Sequence, residues 1–166
     1  MSDQKHILSI LVDNQPGVLS RIAGLFSGRG YNIESLSVAQ TAENSALSRI
    51  TMVTVGDDHI IEQITKQLHK LINVITVNDL TDKKYVQREL MLIKVNAKPE
   101  QRAEILRIVD IFRCRVVDVG PEHYTVEMSG DDGKIEAFID LLRPMGIIET
   151  ARTGLIALPR DKKKSK

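Results

Sequence analysis

The chain has 166 residues, of which 42% are hydrophobic, 27% charged and only 4% aromatic, with no tryptophan. These proportions are typical of a globular protein with an aliphatic core, and they exclude a low-complexity or fibrous chain. The net charge is +1, but residues 160–166 hold five basic residues and one acidic residue, which leaves 18 basic and 21 acidic residues elsewhere. A nucleic-acid binder needs a basic face on its folded domain, so we expect no nucleic-acid partner and interpret 160–166 as a disordered basic tail.

The compartment follows from the single cysteine and from the absence of long apolar runs. Cys114 has no second cysteine for an internal disulfide, which favours a reducing compartment. No apolar run approaches the about 20 residues that a membrane span requires, and the polar N-terminus has no apolar signal-peptide core. The sequence therefore predicts a soluble cytoplasmic protein with no membrane partner.

The first half of the chain alternates between patterns of period two and of helical period. A helix is predicted between Gly17 and Gly28, with Val18, Ile22 and Phe26 on its apolar face, and a second helix opens at 56–58. The predicted strands cover residues 7–12, 33–39, 47–55 and 74–77. The order is β-α-β-β-α-β.

The second half repeats this order at an offset of about 83 residues. Helices are predicted to begin at Pro99 and at 131–133, and the strands at 89–95, 115–119, 123–128, 147–151 and 155–158. This repetition predicts an α+β fold of two ferredoxin-like βαββαβ domains in tandem. The predicted boundaries are 5–80 for the first domain, 81–87 for a linker and 88–159 for the second domain. Ile- and Val-rich edge strands favour a homodimer.

Catalytic and metal-binding patterns are not found. The four histidines are too scattered to form a ligand set, and we interpret them as solvated surface residues. The glycines of 24–30 close a helix instead of opening one, so they predict a C-terminal cap and not a phosphate loop. The acidic pairs 57–58 and 131–132 stand at helix starts, where carboxylates cap free amides. We therefore predict no catalytic residue and no metal site.

The junction before the first helix has features that its counterpart in the second half lacks. Gly17 has no Cβ, so a ligand can approach the backbone closely, and the amides of Gly17, Val18 and Leu19 would face a carboxylate at the helix N-terminus. Asn14 offers both a donor and acceptors. At the far end of the helix, Asn32 directly precedes the strand that begins at Ile33. Both asparagines also suit plain turn or capping roles, but together the set fits a small zwitterion with an apolar side chain.

The same region carries a family resemblance. The chain resembles the small regulatory subunits of acetolactate synthase (acetohydroxyacid synthase), and the part before residue 80 resembles an ACT domain. The signature is long and the likeness runs to about residue 154. It is carried by Asp13-Asn14-Gln15-Pro16-Gly17-Val18-Leu19-Ser20-Arg21 and by residues 25–35, 47–51, 67–71, 88–90, 124–127 and 133–138. Asp13 stands where many relatives have glutamate.

The resemblance implies a function and a set of partners. Such proteins bind a large catalytic subunit, raise its activity and confer feedback inhibition by a branched-chain amino acid, usually valine. The thiamine diphosphate, FAD and magnesium belong to the catalytic subunit, so no cofactor is expected on this chain. The family's effector site lies between two ACT domains. Carried over, it comprises Asn14, Gly17, Val18 and Leu19 of one chain with Asn32 and Ile33 of the other.

Two other classes remain open. A stand-alone enzyme on this scaffold would need clustered titratable groups, and a nucleic-acid module would present aromatics on an open sheet. The sequence favours neither, because its titratable residues are dispersed and its only tyrosines are Tyr31, Tyr85 and Tyr124.

Overall fold

The computed structural model describes residues 4–160, which form two compact units. The first unit comprises residues 4–86 and 155–160, and the second comprises residues 87–154. Each unit has its own buried aliphatic core. No helix among residues 4–160 is long and apolar enough to cross a membrane.

The first unit is a four-stranded antiparallel sheet with two helices on one face. Its order along the sheet is β2-β3-β1-β4, so β2 and β4 are the edges. Even-numbered residues of β1, such as Leu8 and Ile10, point to the helices and pack against Ile22 and Phe26, because successive side chains of a strand alternate between faces. The elements are β1 (Gln4–Asp13), α1 (Val18–Ser27), β2 (Ile33–Gln40), β3 (Leu47–Gly56), α2 (Asp58–Leu68) and β4 (Val74–Asp79).

The second unit repeats this arrangement, with sheet order β6-β7-β5-β8. Its core includes Met91 and Ile93 from the sheet, and Ile105 and Phe138 from the two helices. The elements are β5 (Tyr85–Asn96), α3 (Arg102–Ile111), β6 (Arg115–Val119), β7 (His123–Gly130), α4 (Asp132–Leu142) and β8 (Ile147–Arg152). After the second unit the chain forms β9 (Ile156–Pro159). The predicted α+β class, with two ferredoxin-like βαββαβ folds in tandem, is confirmed.

The structure draws the unit boundaries differently from the sequence prediction. β5 begins at Tyr85, inside the predicted linker 81–87. Residues 155–160 belong to the first unit, not to a second domain ending at 159. Leu155 and Ala157 are buried with Ile7 on the sheet face opposite the helices, because that apolar face needs a cover. Of the predicted tail, only Arg160 is described, and its amide donates to Lys84 O at 2.8 Å.

The third helix begins later than predicted. Pro99 was expected at its start, but α3 begins at Arg102. The chain first makes a turn in which the Gln101 amide donates to Lys98 O at 2.8 Å. The Arg102 guanidinium then holds this loop through a 2.9 Å bond from Nε to Ala97 O.

A buried carboxylate in the second unit supports a stability prediction. Glu89 is 5% exposed and accepts two hydrogen bonds from Arg152, at 3.0 Å from Nε and 2.8 Å from Nη2. These bonds raise the pKa of Arg152 above its usual value. Arg152→Ala would leave the carboxylate buried without a partner, which costs about 3–5 kcal/mol in full burial. Since Arg152 is 37% exposed, we expect a loss of about 2–3 kcal/mol.

The measurement is hydrogen exchange of the β7 amides, because β7 lies entirely within the second unit. Arg107→Ala is the matched control, because Arg107 pairs with Glu104 at 2.6 Å while both side chains are exposed. The control should cost less than about 1 kcal/mol. Equal losses in the two variants would contradict the assignment of a special role to the buried pair.

Candidate functional site

The β1–α1 junction leaves the N-terminus of a helix open. Gly17 is the N-cap of α1, with φ of +83° and no side-chain cap. A Cβ added there would meet nothing within 4 Å, so the glycine is needed for its backbone conformation and not for space. The Val18 amide makes only a long 3.4 Å contact with Gln15 O. By contrast, α2 and α4 are capped by the carboxylates of Asp57 and Asp131, as predicted.

Asn14 is fixed with its carboxamide oxygen left to accept. Its backbone amide donates to Ala46 O at 2.7 Å, and its Nδ2 donates to Ser45 O at 3.1 Å. Both bonds anchor the loop to the β2–β3 connection. One of the two Nδ2–H donors is used in this way, and Oδ1 is available to a donor such as an ammonium group. The site therefore offers an acceptor beside open helix amides.

Asn32 and Ile33 lie at the opposite end of the same sheet. Ile33 pairs with Thr54 near the end of β3, whereas Asp13 pairs with Leu47 at its start. At about 3.3 Å per residue these levels are about 23 Å apart. Asn32 is exposed and donates from Nδ2 to Glu34 at 2.6 Å. Within one chain, the structure thus brings Asn14, Gly17, Val18 and Leu19 together but does not bring Asn32 and Ile33 to them.

An exposed valine at the Gly17 end of the edge strand was missed by the sequence reasoning. Val38 pairs with Ile50 in β3, and paired residues point to the same face, here the helix face. Val38 is 43% exposed and Leu19 is 40% exposed. The alternation of Leu36 and Val38 along β2 was the sequence signal that both face the helices. Only the pairing of β2 with β3 shows that Val38 lies at the Gly17 end. The two side chains give the junction an apolar border.

A polar network behind the junction was also missed. Asn73, in the α2–β4 connection, accepts from Arg21 Nη1 at 2.7 Å and donates from Nδ2 to Asp13 at 3.1 Å. Its carbonyl accepts from the Asp13 amide at 2.9 Å. The network joins the end of β1 to α1 and so fixes the loop that carries Asn14. Nothing in the local sequence around Asn73 signals this role.

Removing this link should loosen the loop. Asn73→Ala deletes two side-chain hydrogen bonds to partly exposed groups, which are worth about 1 kcal/mol each or less. We expect a loss of about 1–2 kcal/mol in the opening free energy of the Asp13 and Asn14 amides, measured by hydrogen exchange. Asn78→Ala on neighbouring β4, where the residue is exposed, is the control. Unchanged exchange at Asp13 in Asn73→Ala would contradict the positioning role.

The equivalent junction in the second unit is built differently. There the helix N-cap is Gln101, which like Gly17 makes no side-chain cap bond. The guanidinium of the following Arg102 donates to Ala97 O and Pro121 O and so holds the adjoining loops. The two halves share a fold, but only the first has a glycine in the left-handed conformation at this N-cap.

The other sequence candidates find structural explanations, with one correction. Gly28 is the C-cap of α1, as predicted for the glycine run. Cys114 is half-buried, and burial raises the pKa of its thiol, which disfavours the nucleophilic thiolate. His59 and His69 are exposed and His123 is half-buried. His6 is 2% exposed, so its prediction as a surface histidine was wrong; as an even-numbered residue of β1 it faces the helices.

Comparison with known proteins identifies matches over nearly the whole chain. Residues 8–76 match the family model of the AHAS (acetohydroxyacid synthase) small subunit-like ACT domain, and residues 88–161 match that of the small subunit of acetolactate synthase. The acetolactate synthase small subunit of Aquifex aeolicus is 54% identical over 95% of this chain and 82% of its own. The isozyme 3 small subunit of Escherichia coli is 48% identical over 96% and 98%.

A solved structure agrees with these matches. The crystal structure of the acetolactate synthase small subunit from Thermotoga maritima superposes with a TM-score of 0.86 at 42% identity. The match covers 96% of this chain and 99% of that one. The similarity therefore includes both units and the connections between their elements.

Proposed function

The chain belongs to the family of acetolactate synthase small subunits, and from this membership we propose that it is the regulatory subunit of such an enzyme in branched-chain amino-acid biosynthesis. A small subunit implies a catalytic large subunit as its partner. We propose that this chain is not catalytic by itself and raises the activity of that partner in the cytoplasm. Thiamine diphosphate, FAD and magnesium would then be held by the large subunit and none of them by this chain.

The proposed effector is a branched-chain amino acid, with valine as the first candidate. The open N-terminus of α1 is the observation that carries this proposal, because its amides and helix dipole favour a carboxylate. Asn14 Oδ1 would accept from the ammonium group. Leu19 and Val38, both partly exposed on this side, would border the effector's side chain.

A homodimer would complete the site. β2 is an edge strand of the first sheet, and two copies can pair through it in antiparallel fashion. Such pairing places the start of one β2 beside the end of the other, and the end of β2 lies at the level of Asn14, since Gln40 pairs with Ser48 and Ser48 with Val12. The partner's Asn32 and Ile33 would thereby lie at the Gly17 end of this chain. Asn32 and Ile33 of the same chain lie at the opposite end of the sheet.

Effector binding at this β2–β2 interface would change how the first units of the two copies are placed relative to each other. The catalytic subunit would respond to that change. Couplings of this kind are usually worth about 1–3 kcal/mol, which corresponds to about 5- to 150-fold in affinity. Discrimination among valine, leucine and isoleucine would rest on one methylene, also worth about 1–3 kcal/mol.

The test is calorimetric titration of the full chain with valine, leucine and isoleucine, with and without its large subunit, together with an acetolactate synthase assay of the mixture. We expect activation by this chain, saturable binding of one of the three amino acids, and inhibition over the same concentration range. Activation without any amino-acid response would overturn the effector proposal and keep the subunit assignment. The absence of both would overturn the regulatory role altogether.

A further inference from the structure

A cavity of about 450 Å³ lies in the first unit between the start of β1, α2 and the end of β4. It is at the other end of β1 from Asn14. Four carboxylates line it, namely those of Asp58, Glu62, Asp79 and Asp82, against a single ammonium from Lys66. That ammonium is already paired with Glu62 at 2.6 Å. The cavity therefore has an excess of negative charge, and the imidazole of His6 forms part of its wall.

The two ring nitrogens of His6 have different surroundings. Nδ1 lies 3.2 Å from Thr81 Oγ1 and 3.4 Å from Asp79 Oδ2. Thr81 donates its own hydroxyl proton to Asp79 Oδ1 at 2.6 Å. Its oxygen accepts from the Ile7 amide at 3.2 Å and keeps a second lone pair that can accept from Nδ1–H. This assigns the proton of a neutral imidazole to Nδ1 and leaves a lone pair on Nε2.

Nε2 is the ring nitrogen that lacks a hydrogen-bond partner within residues 4–160. It is buried and has no hydrogen-bond partner among the described residues, although His6 is 2% exposed. Asp58 Oδ1 lies 3.9 Å from it. In a neutral imidazole this lone pair faces a carboxylate, which is repulsive unless a proton or a metal cation lies between them, and a buried polar atom without a partner costs about 1–3 kcal/mol.

We propose that His6 Nε2 and the Asp58 carboxylate bind a divalent transition-metal cation of the Zn²⁺ class in this cavity. The surroundings match what such a cation requires of a histidine ligand, because the second ring nitrogen of a metal-bound histidine almost always donates to a carboxylate or a similar acceptor. Asp79, with Thr81, supplies that acceptor. Neutral imidazole and carboxylate oxygen are both ordinary ligands of zinc.

The geometry requires only a small movement. Two ligands of a tetrahedral zinc ion, each at about 2.1 Å from the metal, are about 3.4 Å apart, so the Asp58 oxygen must move by about half an ångström. Asp58 is 88% exposed, and its Oδ1 accepts a 3.3 Å bond from Gln4. No three His, Cys, Asp or Glu side chains among residues 4–160 already converge on one point. Glu62, one turn along α2, or water therefore completes the coordination shell.

Such a cation would join the first strand to α2 and stabilise the first unit in proportion to its occupancy. The test is titration of the full chain with Co²⁺, followed through the visible absorption that cobalt gains in a tetrahedral site, and then displacement by Zn²⁺. We expect one equivalent to bind saturably. His6→Gln should weaken binding at least 10-fold, and Asp79→Asn about 10- to 100-fold, as measured for other residues that orient a metal ligand.

His59→Gln is the matched control, because His59 is exposed on α2, the helix that carries Asp58, and its Nε2 already lies 2.8 Å from Gln63. This variant should bind cobalt like the wild type. If His6→Gln fails to fold, as judged by circular dichroism, the exposed Asp58→Asn takes its place and should show the same loss. The absence of saturable cobalt binding in the wild type, or equal binding in the wild type and in Asp58→Asn, would overturn the proposal. Neither result bears on amino-acid binding at the Gly17 junction.

Discussion

A Gly17→Asp variant is expected to lose feedback inhibition while it still binds and activates the catalytic subunit. The new carboxylate would occupy the space at the α1 N-terminus where the effector carboxylate is proposed to bind. At about 4 Å and an effective dielectric constant of about 20, two like charges repel by as much as about 4 kcal/mol. Allowing half of that for solvent screening, the inhibitory concentration of valine should rise at least about 30-fold.

The fold should tolerate this change. A Cβ at Gly17 meets nothing within 4 Å, and an aspartate at a helix N-terminus interacts favourably with the helix dipole. The remaining cost is the φ of +83°, which is about 1–2 kcal/mol for a residue other than glycine. Activation of the catalytic subunit therefore serves as the internal measure that the variant is folded.

Gly17→Ala separates backbone strain from charge. Gly17→Ala carries the same φ penalty but adds no charge beside the open amides. Its inhibition curve should therefore shift much less than that of Gly17→Asp. The measurement is acetolactate synthase activity of the reconstituted enzyme against valine concentration, paired with calorimetry. Wild-type sensitivity in Gly17→Asp would contradict the placement of the effector carboxylate, and equal shifts in both variants would attribute the effect to strain.

Local patterns in the sequence were sufficient to predict most elements of the fold. β6 was predicted over 115–119 and is observed at Arg115–Val119, and β2 begins at Ile33 as expected. The helix caps at Asp57 and Asp131 also follow from local chemistry, since a carboxylate at a helix start bonds to nearby amides. Hydrophobic alternation and helix capping involve residues that are close in sequence, so both can be recognised from a single sequence.

The supporting parts of the candidate site depend on contacts between residues distant in sequence. Asn73 contacts Asp13 across 60 positions, and no spacing rule connects them. Val38 lies at the Gly17 end of the sheet only because of the register between β2 and β3. Gly17 and Asn14 could be singled out because a Pro-Gly turn before an apolar helix is itself a local signal.

His6 shows the same limit for burial. A histidine next to a lysine near a chain terminus suggests a surface position, and its neighbours Lys5 and Gln4 are exposed. The side chain is nevertheless buried, because α2 and the end of β4 enclose this face of β1. Its burial therefore depends on elements more than 50 residues away, as the contact with Asp58 shows.

The unit boundary at residue 155 is the largest difference between the sequence prediction and the structure, and it supports the second prediction. Leu155→Asp is expected to destabilise the first unit, although the residue lies far along the chain from that unit's strands. Leu155 is 2% exposed and packs in one cluster with Val53 and Leu80, and its amide donates to Ser35 Oγ in β2 at 3.1 Å. A carboxylate placed in this apolar cluster has no partner, so we expect a loss of at least about 3 kcal/mol.

Leu158→Asp distinguishes burial from the general effect of a new charge in the same segment, because Leu158 is 58% exposed. It should change stability by less than about 0.5 kcal/mol. Hydrogen exchange of β1 and β3 amides reports on the first unit, and exchange of β7 amides on the second. The structure predicts that Leu155→Asp accelerates exchange in β1 and β3 and leaves β7 protected. A domain boundary at 159 predicts the reverse, so protection lost in β7 and kept in β1 would show that residues 155–160 stabilise the second unit instead.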